Sequence, residues 1–97
     1  MLVGLYVNRF VTLTLQKGSI WMLNAAQIRA ARGLIQWSQE DLAREAGVSR
    51  PTIKRMESQG PENSSAGNVD RVQKALEAAG VEFIAENGGG AGVRLRK

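Results

Sequence analysis

Three cations fall within the twelve residues GVSRPTIKRMES, Gly47 to Ser58: Arg50, Lys54 and Arg55. Arginine presents a planar fork of N–H donors that fits two acceptors side by side, such as those of a phosphate or the O6/N7 edge of guanine. Lysine presents a compact charge better suited to phosphate. On a helix, positions 50 and 54 lie one turn apart and 55 is next to 54, so the three share a face. Solvated helices also carry charged faces, so the cations alone leave a binding face and a merely wet face equally open.

The chain offers little else with which to do chemistry. It has no cysteine and no histidine. Disulfides, thiol chemistry and the usual zinc sites are excluded, as are histidine acid–base catalysis and a Ser-His-Asp triad. No metal and no cofactor is expected, and an enzyme is the least favoured class. Net charge is +4 with a pI near 10.1. Between Asn24 and Gly80, however, eight Lys and Arg face seven Asp and Glu. The flanks supply most of the excess, and a basic pI by itself is weak evidence for a nucleic-acid partner.

The cations need a helix, and Pro51 sits where that helix should run. Ser49 can serve as N-cap, which makes Arg50 the first helical residue and Pro51 the second. First-turn N–H groups have no partner within the helix, so proline removes no bond there, and its fixed φ suits the helix. Val48 before the cap and Ile53 four residues after it have the spacing of a hydrophobic staple. Ile53 and Met56 then face a core, while Arg50, Pro51, Lys54, Arg55 and Ser58 face away.

Other start and stop signals frame this helix. Asn24 is a cap for AAQIRAARGLI, in which Ala25, Ile28, Ala31 and Ile35 recur on one face. Ser38 and Asp41 have capping-box spacing at the start of the next helix. Leu42, Ala43 and Ala46 face inward there, and Gly47 ends it with a positive φ. A turn of about three residues separates this helix from the one at Ser49, the arrangement of a helix-turn-helix unit. A B-form major groove of about 12 Å admits one α-helix, whose first turn meets base edges. ENSSAGNV reads as a polar loop, with Asn68 capping a fourth helix whose stripe is Val69, Val72, Leu76 and Ala79; Gly80 closes it.

The flanks read differently. Residues 1–22 alternate weakly, with a short strand expected over Phe10–Leu15. An alternative start of the domain at Met22 would make the first 21 residues an extension. The apolar stretches there are too short to span a membrane and lack the basic lead of a signal peptide. In 81–97, Val81 and Phe83 alternate with Glu82 and Ile84, and Val93 and Leu95 with Arg94 and Arg96. These predict a β-hairpin around the loop Asn87 to Gly92, with Glu and Arg pairing across strands; a basic tail is the other reading. The glycines lack the Gly-Lys-Ser/Thr ending and following helix of a phosphate loop.

The stretch IRAARGLIQWSQEDLAREAGVSRPTIKRMESQG resembles the helix-turn-helix of the Xre/Cro phage-repressor-type transcriptional regulators. The likeness rests on Arg32, Ser38-Gln39, Leu42-Ala43, Gly47-Val48-Ser49, Thr52-Ile53 and Glu57. It implies base contacts by Arg50, Pro51 and Arg55, and DNA backbone contacts by Gln39, Ser49, Thr52, Lys54, Asn63, Ser64 and Ser65. It also implies an ion pair between Arg32 and Glu57. Trp37 is expected in the core; Trp21 stays ambiguous. Three features depart from the family: Pro51 where many members carry a polar reader, a hairpin where many carry a fifth helix, and the N-terminal extension.

The expected fold is mainly α: a four-helix, repressor-like domain over 23–80, with a small β appendage made of an N-terminal strand in 1–22 and a C-terminal hairpin in 81–97. The expected function is sequence-specific binding of double-stranded DNA by a cytoplasmic homodimer, with repression as its outcome. The rival is an antitoxin or interaction module whose flanks bind a toxin or other protein.

Overall fold

The computed structural model describes residues 23–86 and 88–96. The expected strand at Phe10–Leu15, Trp21 and the extension lie outside them. Four helices follow in order: α1 (Ala25–Ile35), α2 (Gln39–Ala46), α3 (Arg50–Gln59) and α4 (Ala66–Ala78). A 3-10 turn, Pro61–Asn63, joins α3 to α4, and strands β1 (Val81–Ile84) and β2 (Gly92–Leu95) close the domain. The mainly α fold with a C-terminal hairpin is as expected. Among the described residues no helix is long and apolar enough to cross a membrane.

The helix starts follow local chemistry. Asn24 caps α1 by accepting from the Gln27 N–H at 2.8 Å, and the Gln27 side chain accepts from the Asn24 N–H at 2.8 Å. Ser38 and Asp41 form the same reciprocal box on α2, at 2.9 Å each way. Each box satisfies two orphan donors that would otherwise need water. Ser49 caps α3 with Arg50 and Pro51 in the first turn.

The fourth helix starts earlier than the sequence suggests. Ser65, not Asn68, is the cap: its hydroxyl accepts from the Asn68 N–H at 3.1 Å, and Ala66, Gly67 and Asn68 are already helical. Serine and asparagine are near-equal caps. Here Asn68 is used otherwise, its side-chain oxygen accepting from Arg71 at 3.0 Å.

Every helix contributes to one core. Ile28, Leu42, Ile53, Met56, Val69, Val72, Leu76 and Val81 are fully buried. Trp37, half-buried, packs against this cluster, as do Ile35, Val48 and Val93. Helix α2 packs on α3 and α4, and α1 packs on α3. The hairpin lies against α1 and α4. Its strands are antiparallel, with Glu82 opposite Arg94 and Phe83 opposite Val93. Gln27 fastens it: the buried side-chain amide donates to the Gly92 carbonyl at 2.8 Å and, more weakly, to that of Ile84 at 3.4 Å.

Candidate nucleic-acid interface

The turn between α2 and α3 is held by backbone alone. Gly47 takes φ 74°, and its N–H donates to the carbonyls of Ala43 and Arg44 at 2.9 and 3.3 Å. Val48 donates back to Ala43 at 3.0 Å. This six-to-one bond over a left-handed residue is the Schellman ending that glycine favours. It stops α2 and turns the chain for Ser49, whose hydroxyl accepts from the Thr52 N–H at 3.2 Å. The Thr52 hydroxyl shares a 2.8 Å hydrogen bond with that of Ser49, and Thr52 is buried.

Helix α3 has two unlike faces. At about 100° per residue, one side carries Thr52, Ile53, Met56 and Glu57, all buried. The other carries Arg50, Pro51, Lys54, Arg55 and Ser58, all exposed. The three cations of that side make no ion pair or side-chain hydrogen bond among the described residues. Outside α3 the described cations are all engaged. Arg44 pairs with Asp41 at 3.1 Å, Lys74 with Asp70 at 2.8 Å and Arg94 with Glu82 at 3.0 Å. Arg71 donates to Asn68 and Arg96 to the Glu77 carbonyl. Cations without an ion-pair or hydrogen-bond partner among the described residues are thus concentrated on the first two turns of one helix.

Behind that face sits a carboxylate joining three helices. Glu57 accepts from Arg32 Nε at 2.7 Å and from a second Arg32 nitrogen at 2.9 Å, a two-pronged pair between α3 and α1. Gln39, the first residue of α2, donates to the same carboxylate at 3.0 Å. Arg32 also donates to the Trp37 carbonyl at 2.9 Å, and Arg29 donates to the Glu57 carbonyl. Glu57 is 4 % exposed and Arg32 21 %. Burial pushes the Glu57 carboxyl up, but the hydrogen bonds from Arg32 and Gln39, with the charges of Arg32 and Arg29, outweigh it and hold it below its ordinary value. The expected ion pair is present, and Gln39 and Arg29 extend it.

After α3 the chain turns at Gly60, which takes φ 95°. A side-chain carbon there would collide with the Glu62 carboxylate. Asn63 and Ser65 are exposed beyond it. The Ser64 hydroxyl is buried and finds no partner among the described residues.

A short turn, a capped second helix with a bare cationic face and a buried carboxylate behind it define a helix-turn-helix. A helix-turn-helix family model matches residues 28–83, more than half of the chain. The chain belongs to the Xre/Cro-type helix-turn-helix family. Membership makes it a DNA-binding regulator, and the matched span runs from α1 into β1. No curated protein matches the chain. Relative to the family-based site, sequence reasoning missed Gln27 and Arg29. The Asn24–Gln27 spacing of three was a capping-box signal; nothing in the sequence pointed Arg29 at a carbonyl on α3.

Proposed function

We propose that this family member is a sequence-specific repressor that binds double-stranded DNA as a homodimer, with α3 in the major groove. The observation that carries this reading is the row of unpartnered cations on α3, set against described cations elsewhere that are ion-paired or hydrogen-bonded. Arg50 and Arg55 read guanine through O6 and N7, while Pro51 between them offers shape only, such as contact with a thymine methyl. Lys54 meets phosphate. Gln39 keeps one amide hydrogen and its first-turn N–H for the DNA backbone. Ser49 contacts the backbone, with Thr52 behind it holding that hydroxyl. Asn63, Ser64 and Ser65 meet the DNA backbone from the loop after α3, and the exposure of Asn63 and Ser65 supports that role.

Random-site selection with purified protein tests the reading. It should recover half-sites about one helical turn apart, each containing guanine. Arg50→Ala or Arg55→Ala should each lose about 1–3 kcal/mol at one base position and relax selectivity there. Lys54→Ala should weaken all sequences alike and flatten the salt dependence by about one phosphate contact. If both arginine variants select the same sites as the parent, α3 is not the reading helix.

A further inference from the structure

Among the described residues the hairpin has an open edge with a socket beside it. The Arg96 N–H donates to the Gly80 carbonyl at 2.7 Å. In an antiparallel pair the N–H and C=O of one residue point the same way, and the direction alternates along the strand. Arg96, Arg94 and Gly92 therefore face β1, while Ala91, Val93 and Leu95 turn their backbone groups outward. By that alternation the N–H groups of Val93 and Leu95 point away from β1, and outside the hairpin ladder no described backbone group pairs with them. Between this edge and α1 runs an open groove walled by Ala26, Ala30, Ala91 and Val93. Leu95, at the end of the same strand, is 45 % exposed, one of two large apolar side chains so exposed among the described residues.

We infer that the β2 edge pairs antiparallel with β2 of a second copy of this chain, giving a continuous four-stranded sheet with Val93 on the two-fold axis. Knob and socket lie four residues apart on one strand, which is what a two-fold partner needs. With the axis at Val93, Leu95 stands opposite Ala91 of the partner subunit and drops beside that subunit's alanine-lined groove. The exchange is reciprocal, as an isologous interface requires.

Charge selects this register. An axis at Arg94 would set Arg94 against its own copy, and an axis at Leu95 would set Arg94 against the partner's Arg96. Like charges directly opposite are unfavourable. The axis at Val93 sets Arg94 against the partner's Gly92, which has no side chain. The cations near the seam are also already engaged, Arg94 by Glu82 at 3.0 Å and Arg96 by the Glu77 carbonyl at 2.7 Å. A two-stranded hairpin is marginal alone, and strand addition supplies the backbone partners that its edge lacks.

The inference extends the homodimer proposed above and is tested without DNA, so its failure leaves the DNA-binding reading standing. Since the chain has no cysteine, Val93→Cys introduces a single thiol. Paired residues about 5.5 Å apart at their α-carbons lie within disulfide range. Under mild oxidation the full-length variant should form a covalent dimer, whereas Arg71→Cys on the outer face of α4 should not. Leu95→Lys, with its helical circular dichroism unchanged, should weaken the dimer by at least about tenfold in sedimentation equilibrium. A dimer unaffected by Leu95→Lys and unlinked through Val93→Cys would overturn the proposal. So would a monomer whose Val93 amide is protected from hydrogen exchange until residues 1–21 are removed, because the edge would then belong to the chain's own segment.

Discussion

Two of the Arg–Glu pairs among the described residues share nearly the same geometry in very different surroundings. Arg32 and Glu57 join α1 to α3 through two short bonds, with Glu57 4 % exposed. Arg94 and Glu82 join β2 to β1 through bonds of 3.0 and 3.3 Å, with exposures of 64 % and 41 %. Chemistry and fork geometry are shared; water is not. In the helical region removing Arg32 strands a buried carboxylate. In the hairpin either partner can return to solvent. The first pair fixes how α3 sits relative to α1 and α2, and so where Arg50 and Arg55 stand. The second marks register only.

The contrast breaks most readily at Arg32. Arg32→Ala leaves a buried carboxylate with Gln39 as its one side-chain donor, and should cost about 2–4 kcal/mol in urea unfolding. Glu57→Gln should cost less, because the 21 % exposed guanidinium can reach water. If Arg32→Ala proves neutral, the buried pair is no lock.

Next in size is Gln27, which both caps α1 and holds the hairpin. Gln27→Ala removes the amide that meets the Gly92 and Ile84 carbonyls, and should cost about 1–3 kcal/mol. Hydrogen exchange should rise in residues 81–95 more than in α2 and α3. Uniform loss of protection would mean that the hairpin and the helices unfold as one unit.

Acid should act through Glu57. Its folded value lies below the ordinary 4.5, so its contribution is complete above the unfolded value and is lost as pH falls through the depressed one. Urea midpoints measured downward from pH 6 should fall in the parent, and fall less in Glu57→Gln. A parallel fall in both would assign the acid sensitivity to other carboxylates.

Two smaller effects sharpen the picture. Gln36 ends α1 at φ 60°, the one non-glycine residue with positive φ among those described. Its backbone makes the same ending that Gly47 makes on α2, with Trp37 donating to the Arg32 carbonyl at 3.0 Å. Gln36→Gly should therefore stabilise by roughly 1 kcal/mol, read from the denaturation midpoint. Smallest of all, Glu82→Gln should leave that midpoint unchanged, since both groups of its pair are solvated. A clear loss there would place the exposed pair on the same footing as the buried one.

Much of this fold was legible along the chain because it rests on local rules. The Asn24, Ser38 and Ser49 caps, the glycine after α2 and the tolerance of Pro51 all follow from neighbours a few residues apart, and the hairpin with its Glu–Arg pairing followed from alternation in 81–97. The start of α4 was not, because Ser65 and Asn68 are both good caps and three residues apart. The span of α1, AAQIRAARGLI, was legible, but nothing in the sequence marked Gln36 for the left-handed φ that ends it.

The sequence by itself determined the helix-turn-helix and which side chains α3 exposes, since apolar spacing and capping chemistry act over one or two turns. Only the tertiary structure decided that Arg50, Lys54 and Arg55 are left unpaired while cations elsewhere are engaged. It also decided that Gln39 and Arg29 join the expected Arg32–Glu57 pair, and that Gln27 ties α1 to a strand. Those contacts bridge residues far apart in the chain, where spacing carries no information and the packed core brings the partners together.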